Sequence, residues 1–135
     1  MRDRSVEVSC LLGPVEAFDV ILRIADMEAF VARLLPLAHG IDANCDVIVY
    51  GHLGDGNLHM SVRCPTERPE LYDVIQRAVY ELVGEYAGSI SAEHGVGISK
   101  REFLPHSRTP QEISWMRNLK NTFDPRNILN PGRVI

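Results

Sequence analysis

Two histidines, His52 and His59, stand seven positions apart in GHLGDGNLHM (51–60), around an Asp-Gly pair. A stretch so short and rich in glycine is no helix. Asp55-Gly56 is a favoured type I′ pair, whose twist suits two antiparallel strands. A hairpin closed there opposes Gly54 to Asn57, Leu53 to Leu58 and His52 to His59. Opposed residues hold their Cβ atoms about 4.5–5.5 Å apart on one sheet face, so the two imidazoles converge. Converging neutral imidazoles suit a borderline metal such as zinc, which commonly takes three protein ligands and leaves one position open when catalytic. Glu93, just beyond a segment able to join the same sheet, is the best third ligand. The blander alternative is a histidine pair hydrogen-bonded in a loop, and spacing alone does not exclude it.

His94 follows Glu93 and precedes Gly95 and Gly97, small residues that allow a ligand or backbone to approach. A histidine titrating near neutrality is the usual general base; the alternative is a turn histidine with no role. Lys100-Arg101 reads as a solvated pair rather than an anion site. Gly95-Val96-Gly97 lacks the third glycine and the helix of a dinucleotide fingerprint. No cysteine neighbours a histidine motif, so thiol nucleophile chemistry is not expected.

These residues need a scaffold, and the rest of the chain supplies its signals. VEAFDVILRI (15–24) suits a buried strand. Asp26 can cap a helix with an apolar face of Phe30, Val31, Leu34 and Leu35, stopped near Gly40 and kinked or shortened by Pro36. Residues 46–64 form the hairpin. Val47, Val49, Gly51, Leu53, Leu58, Met60, Val62 and Cys64 share one face. Ile48, Tyr50, His52, Asn57, His59, Ser61 and Arg63 share the other. A slip of one residue would exchange the faces. After Pro69, Leu71, Val74, Ile75, Ala78, Val79, Leu82, Val83 and Tyr86 make a continuous helical stripe, with Gly88 expected in the left-handed C-terminal position. Residues 89–92 alternate as a short strand. Thr109-Pro110-Gln111-Glu112 is a capping box for a last helix with Ile113, Met116, Leu119 and Phe123 inward. The tail is turn-rich. The order predicts an α+β fold of ferredoxin-like type, an antiparallel sheet with helices packed on one face.

The chain has 135 residues, enough for one domain; it is 45% hydrophobic and 24% charged with a net charge of −4. That balance, with scattered basic residues, argues against nucleic acid or anionic lipid as partners. Three cysteines, Cys10, Cys45 and Cys64, show no C-x-x-C spacing. A disulfide framework is therefore not expected, and a reducing, cytoplasmic setting is. No apolar run is long enough to span a membrane.

GHLGDGNLH (51–59), SAEHGVGISKREFLP (91–105) and FDPRNILNPG (123–132) together resemble the C-terminal segment of FAD-linked oxidases. That family includes D-lactate dehydrogenases, the glycolate oxidase flavoprotein subunit and D-2-hydroxyglutarate dehydrogenase. The resemblance implies that His52, His59 and Glu93 ligate a divalent metal, usually zinc. It implies that Asn57 and His94 touch substrate, with His94 the base, and that Asn130 lies near the flavin. Arg2 falls where the family's arginine binds the substrate carboxylate. Ala17 stands before Phe18-Asp19 where some members have a lysine, which weakens the case for a second-carboxylate substrate such as 2-hydroxyglutarate. Nothing in the chain resembles the FAD-binding domain, so an incomplete cap domain of a longer flavoenzyme is expected. As part of that enzyme it would bind a lactate- or glycolate-like D-2-hydroxy acid, which passes hydride to FAD. The rivals are a stand-alone metal- or ligand-binding or assembly module, and a metal-stabilised structural domain. A truncated cap also exposes surface on which copies could self-associate.

Overall fold

A computed structural model describes residues 15–64 and 70–135. Strands β1 (Glu16–Ile21), β2 (Asp46–His52) and β3 (Asn57–Arg63) form an antiparallel sheet in the order β1-β3-β2. Helices α1 (Met27–Ile41) and α2 (Glu70–Glu85) connect and cover it, and α3 (Pro110–Phe123) follows a loop and a 3-10 turn at Arg101–His106. Alternation decides what each sheet face does. Phe18 and Val20 of β1 and Leu58, Met60 and Val62 of β3 are buried against Phe30 and Leu34 of α1 and Ile75, Val79 and Tyr80 of α2. Tyr80 meets Phe18 edge-on with ring centroids 5.4 Å apart, a favoured aromatic geometry. The opposite face carries the polar residues.

The α+β class and the one-sided helix layer are as expected, and the sheet has ferredoxin-like order with its fourth strand nearly lost. Residues 89–92 are not a strand. They contribute one antiparallel bridge, Ile21 to Ser89, on the outer edge of β1. Beyond Ala92 the chain turns away to serve Asp19, so pairing stops there.

The hairpin register differs from the expected one by two residues. Leu53–Asp55 form a 3-10 turn that ends at Gly56 in the left-handed region (φ 74°), so the loop has four residues rather than two. His52 therefore opposes Asn57, and Tyr50 opposes His59. A two-residue shift leaves every side chain on its expected face, because side chains alternate with period two. It also brings Cys45 opposite Cys64, one step beyond the Asp46–Arg63 pair. These cysteines form a disulfide with Cα atoms 4.5 Å apart, which corrects the expectation of unpaired thiols. The expected register hid the pair by setting Cys64 against Val47.

The helices bring further corrections. Asp26 does not cap α1 with its side chain; its Oδ2 accepts from Arg23 Nε at 2.6 Å. Pro36 neither shortens nor ends α1, which runs to Ile41. Pro36 and Ala32 both lie on the exposed side, where water can satisfy the carbonyl that loses its donor. At the end of α2 the left-handed residue is Ala87 (φ 51°), not Gly88. Ala87 N–H donates to Gly84 O and Gly88 N–H to Val83 O, a Schellman closure. Gly88 is small for a different reason: a Cβ there would lie 2.6 Å from Leu22 Cδ2 and 2.7 Å from Ile21 O.

The capping box of α3 forms in full between Thr109 and Glu112. Its expected inward face does not. Ile113 is buried, but Leu119 is 60% and Phe123 80% exposed, because nothing among the described residues packs there. Among the described residues no helix is long and apolar enough to cross a membrane.

Candidate metal centre

The polar sheet face gathers His52 from the end of β2, His59 from the middle of β3 and, on the neighbouring strand, Asp19 directly opposite His59. Diagonal neighbours across two strands remain within reach of long side chains. The Nε2 atoms of His52 and His59 are accordingly 3.5 Å apart, although the residues are not cross-strand partners. Glu93 arrives from the segment after the Ser89 bridge, its Oε1 3.8 Å from His52 Nε2. One ligand atom from each of His52, His59 and Glu93 lies within 4.8 Å of the other two. Two imidazole nitrogens and a carboxylate oxygen at that spacing are a donor set suited to zinc.

His94 stands beside this cluster. Its ring centroid is 5.9 Å from that of His59, and its side chain is largely exposed. Asn57 is the reverse case. It is 2% exposed, and its Oδ1 is a buried oxygen without a hydrogen-bond partner. Such an atom is costly to leave unmatched, and a bound polar group would satisfy it. Tyr50, half exposed opposite His59, places its ring 5.3 Å from the imidazole and forms one wall.

Sequence reasoning passed over Asp19, which organises the cluster. It is fully buried. Its Oδ2 accepts the backbone N–H groups of Ala92 (3.0 Å), Glu93 (2.7 Å) and His94 (2.8 Å). Its Oδ1 faces His59 Nδ1 at 3.6 Å, and its Oδ2 lies 4.0 Å from His94 Nδ1. Burial alone would raise the Asp19 pKa, but the three amides and the His94 ring outweigh it and hold the carboxyl below its ordinary range. The signal was present: one acid inside an apolar strand run, on the parity that faces away from the helices.

Lys100 also departs from expectation. It is buried rather than solvated, and its ammonium donates to Ile90 O (3.3 Å) and Ser91 Oγ (3.4 Å). Burial pulls its pKa down, while the carboxylates of Asp19 and Glu16 push it back up. Lys100 thus ties down the segment that carries Glu93. Arg101 is exposed as expected and donates to Gly132 O at 2.7 Å. Asn130 lies on the exposed tail with a left-handed backbone (φ 50°). The tail returns to the site loop through Val134 N–H to Gly97 O at 2.8 Å. Arg2 lies outside the described residues.

The profile of the family described as FAD linked oxidases, C-terminal domain, matches residues 2–134. The chain belongs to this family. It is 37% identical over 133 residues to a D-2-hydroxyglutarate dehydrogenase of Stutzerimonas stutzeri, covering 95% of this chain and 26% of the relative. A D-2-hydroxyglutarate dehydrogenase of Xanthomonas citri is 39% identical over 121 residues, covering 86% and 26%. The mitochondrial D-2-hydroxyglutarate dehydrogenase of Danio rerio is 33% identical over 135 residues, covering 100% and 25%. This FAD-linked oxidase C-terminal domain therefore spans about a quarter of the length of the curated relatives it matches.

Proposed function

We propose that this chain is the substrate- and metal-binding part of an FAD-dependent dehydrogenase that oxidises a D-2-hydroxy acid to the 2-oxo acid. The supporting observation is that His52, His59 and Glu93 each bring a ligand atom within 4.8 Å of the other two, with His94 beside them. In this reading those three hold a divalent metal, zinc by the chemistry of the donors. A zinc ion so held supplies Lewis acidity toward the substrate hydroxyl. His94 accepts the hydroxyl proton. Asn57 offers its unmatched Oδ1 to the bound acid, and Tyr50 narrows the opening. FAD, held by a separate flavin-binding domain, would supply the hydride acceptor, with Asn130 on the tail lying near it. Arg2 binds the substrate carboxylate.

The names of the relatives suggest 2-hydroxyglutarate as substrate. Ala17 favours a lactate- or glycolate-like acid instead. It lies two residues from Asp19 on the site face, opposite Ser61, where its methyl group offers no charge to a second carboxylate. The exposed α3 stripe of Trp115, Leu119 and Phe123, spaced one turn apart, would dock the flavin-binding domain of the longer protein.

Metal analysis of the purified chain tests the reading. One zinc per chain is expected, lost in His52→Ala and Glu93→Ala. Stoichiometric zinc in both variants overturns the site. The isolated chain is expected to bind FAD weakly and to show no turnover; turnover without an added flavin domain would overturn the division of labour.

A further inference from the structure

We infer that Asp19 is a positioning residue that fixes both the tautomer of His59 and the backbone carrying Glu93 and His94. The inference deepens the proposed metal site and rests on it. A buried carboxylate is expensive unless its oxygens are matched, so full burial of Asp19 calls for an account of each oxygen. Oδ2 is matched by three consecutive amides, those of residues 92, 93 and 94. They belong to the very turn that presents Glu93 and His94, so one oxygen sets the position of a ligand and of the base.

Oδ1 has no hydrogen bond within normal distance, and the group facing it is His59 Nδ1 at 3.6 Å. A neutral imidazole has two tautomers. With the proton on Nδ1, an N–H dipole points at the carboxylate and the Nε2 lone pair is left toward His52 Nε2 and the Glu93 side. With the proton on Nε2, two lone-pair-bearing atoms face each other inside the protein, and His59 cannot ligate through Nε2. The carboxylate therefore selects the tautomer that a metal requires. Carboxylates behind ligating histidines act this way in metal sites generally. The β1–β3 register, which sets Asp19 against His59, makes the arrangement a property of the sheet and not of a movable loop.

Two readouts on the full 135-residue chain test this. The first is the tautomer of His59 in zinc-free protein at pH 7.5, from two-bond nitrogen–proton correlations, assigned by loss of the signal in His59→Gln. The Nδ1–H form is expected, and the Nε2–H form overturns the inference without any change at Asp19. The second is zinc affinity by competition with a chelating dye. Asp19→Asn is expected to weaken binding roughly 10- to 100-fold and to mix the His59 tautomers. Unchanged affinity and tautomer in folded Asp19→Asn overturn it. Should that variant fail to fold, the tautomer of the unsubstituted chain still decides. Absence of zinc binding by the unsubstituted chain defeats the metal reading alone, while the tautomer continues to report on Asp19.

Discussion

Cys45 and Cys64 face each other across the open end of the hairpin, joined by a disulfide with Cα atoms 4.5 Å apart. The bond closes a loop that contains the whole site hairpin, 19 positions from end to end. Loop-closure entropy assigns such a crosslink about 3 kcal/mol. Thiol titration in denaturant is expected to find one free thiol per oxidised chain, Cys10, and three after reduction. Reduction should lower the unfolding midpoint, and Cys45→Ser should reproduce the loss. Three thiols before reduction would contradict the bond.

The end of α2 makes opposite demands on adjacent residues. Ala87 is exposed and left-handed, a conformation costing an L-residue roughly 1–2 kcal/mol. Glycine avoids that cost but loses about 0.5–1 kcal/mol through its freer unfolded chain. Ala87→Gly should therefore stabilise by up to about 1 kcal/mol. Gly88→Ala should destabilise by more than about 2 kcal/mol, since its Cβ would strike β1 backbone 2.7 Å away. Urea titration of both variants checks the contrast; equal effects would refute the assigned cap.

What the sequence revealed here follows from parity. His52, Asn57 and His59 share one face in the expected register and in the observed one, because period-two alternation survives any even shift of register. The shift itself was hidden. Asp55-Gly56 suits a two-residue turn, yet Gly56 instead ends a four-residue loop, and no local preference separates the two. The cysteine pair depended on that register and was lost with it. Asp19 stands out locally as a lone acid in an apolar run, but the amides it holds lie 73 to 75 residues away, so its role is not legible in any local pattern. Leu119 and Phe123 read as core because periodicity reports an apolar face and cannot say whether this chain supplies its cover.

Acid should weaken the fold through Asp124. Its carboxylate pairs with Lys120 Nζ and accepts from the amides of Ile128 and Leu129, each at 2.9 Å. The hydrogen bond from Lys120 is the main cause of a pKa held below 3.8. A carboxyl with a folded pKa below its unfolded value contributes fully above the unfolded pKa and loses that contribution as pH falls through the folded one. Asp124→Asn should therefore be less stable than the parent at pH 7, with the gap closing below about pH 4. A gap independent of pH between 7 and 2.5 would show that the charge of Asp124 does not anchor the tail.

Zinc should act on stability as well as on function, because its proposed ligands come from β2, β3 and the segment after the Ser89 bridge. An unfolded chain has no means of holding His52, His59 and Glu93 together, so a metal that binds them binds the native state. Free zinc at a hundred times its dissociation constant then adds about 2.7 kcal/mol, a rise in melting temperature on the order of 10 °C for a domain of this size. A chelator should reverse the shift, and His59→Ala should abolish it by removing the ligand that Asp19 holds in place. A shift of equal size in His59→Ala would place the stabilising ion elsewhere, and the imidazole pair would then be a hydrogen-bonded feature of the hairpin.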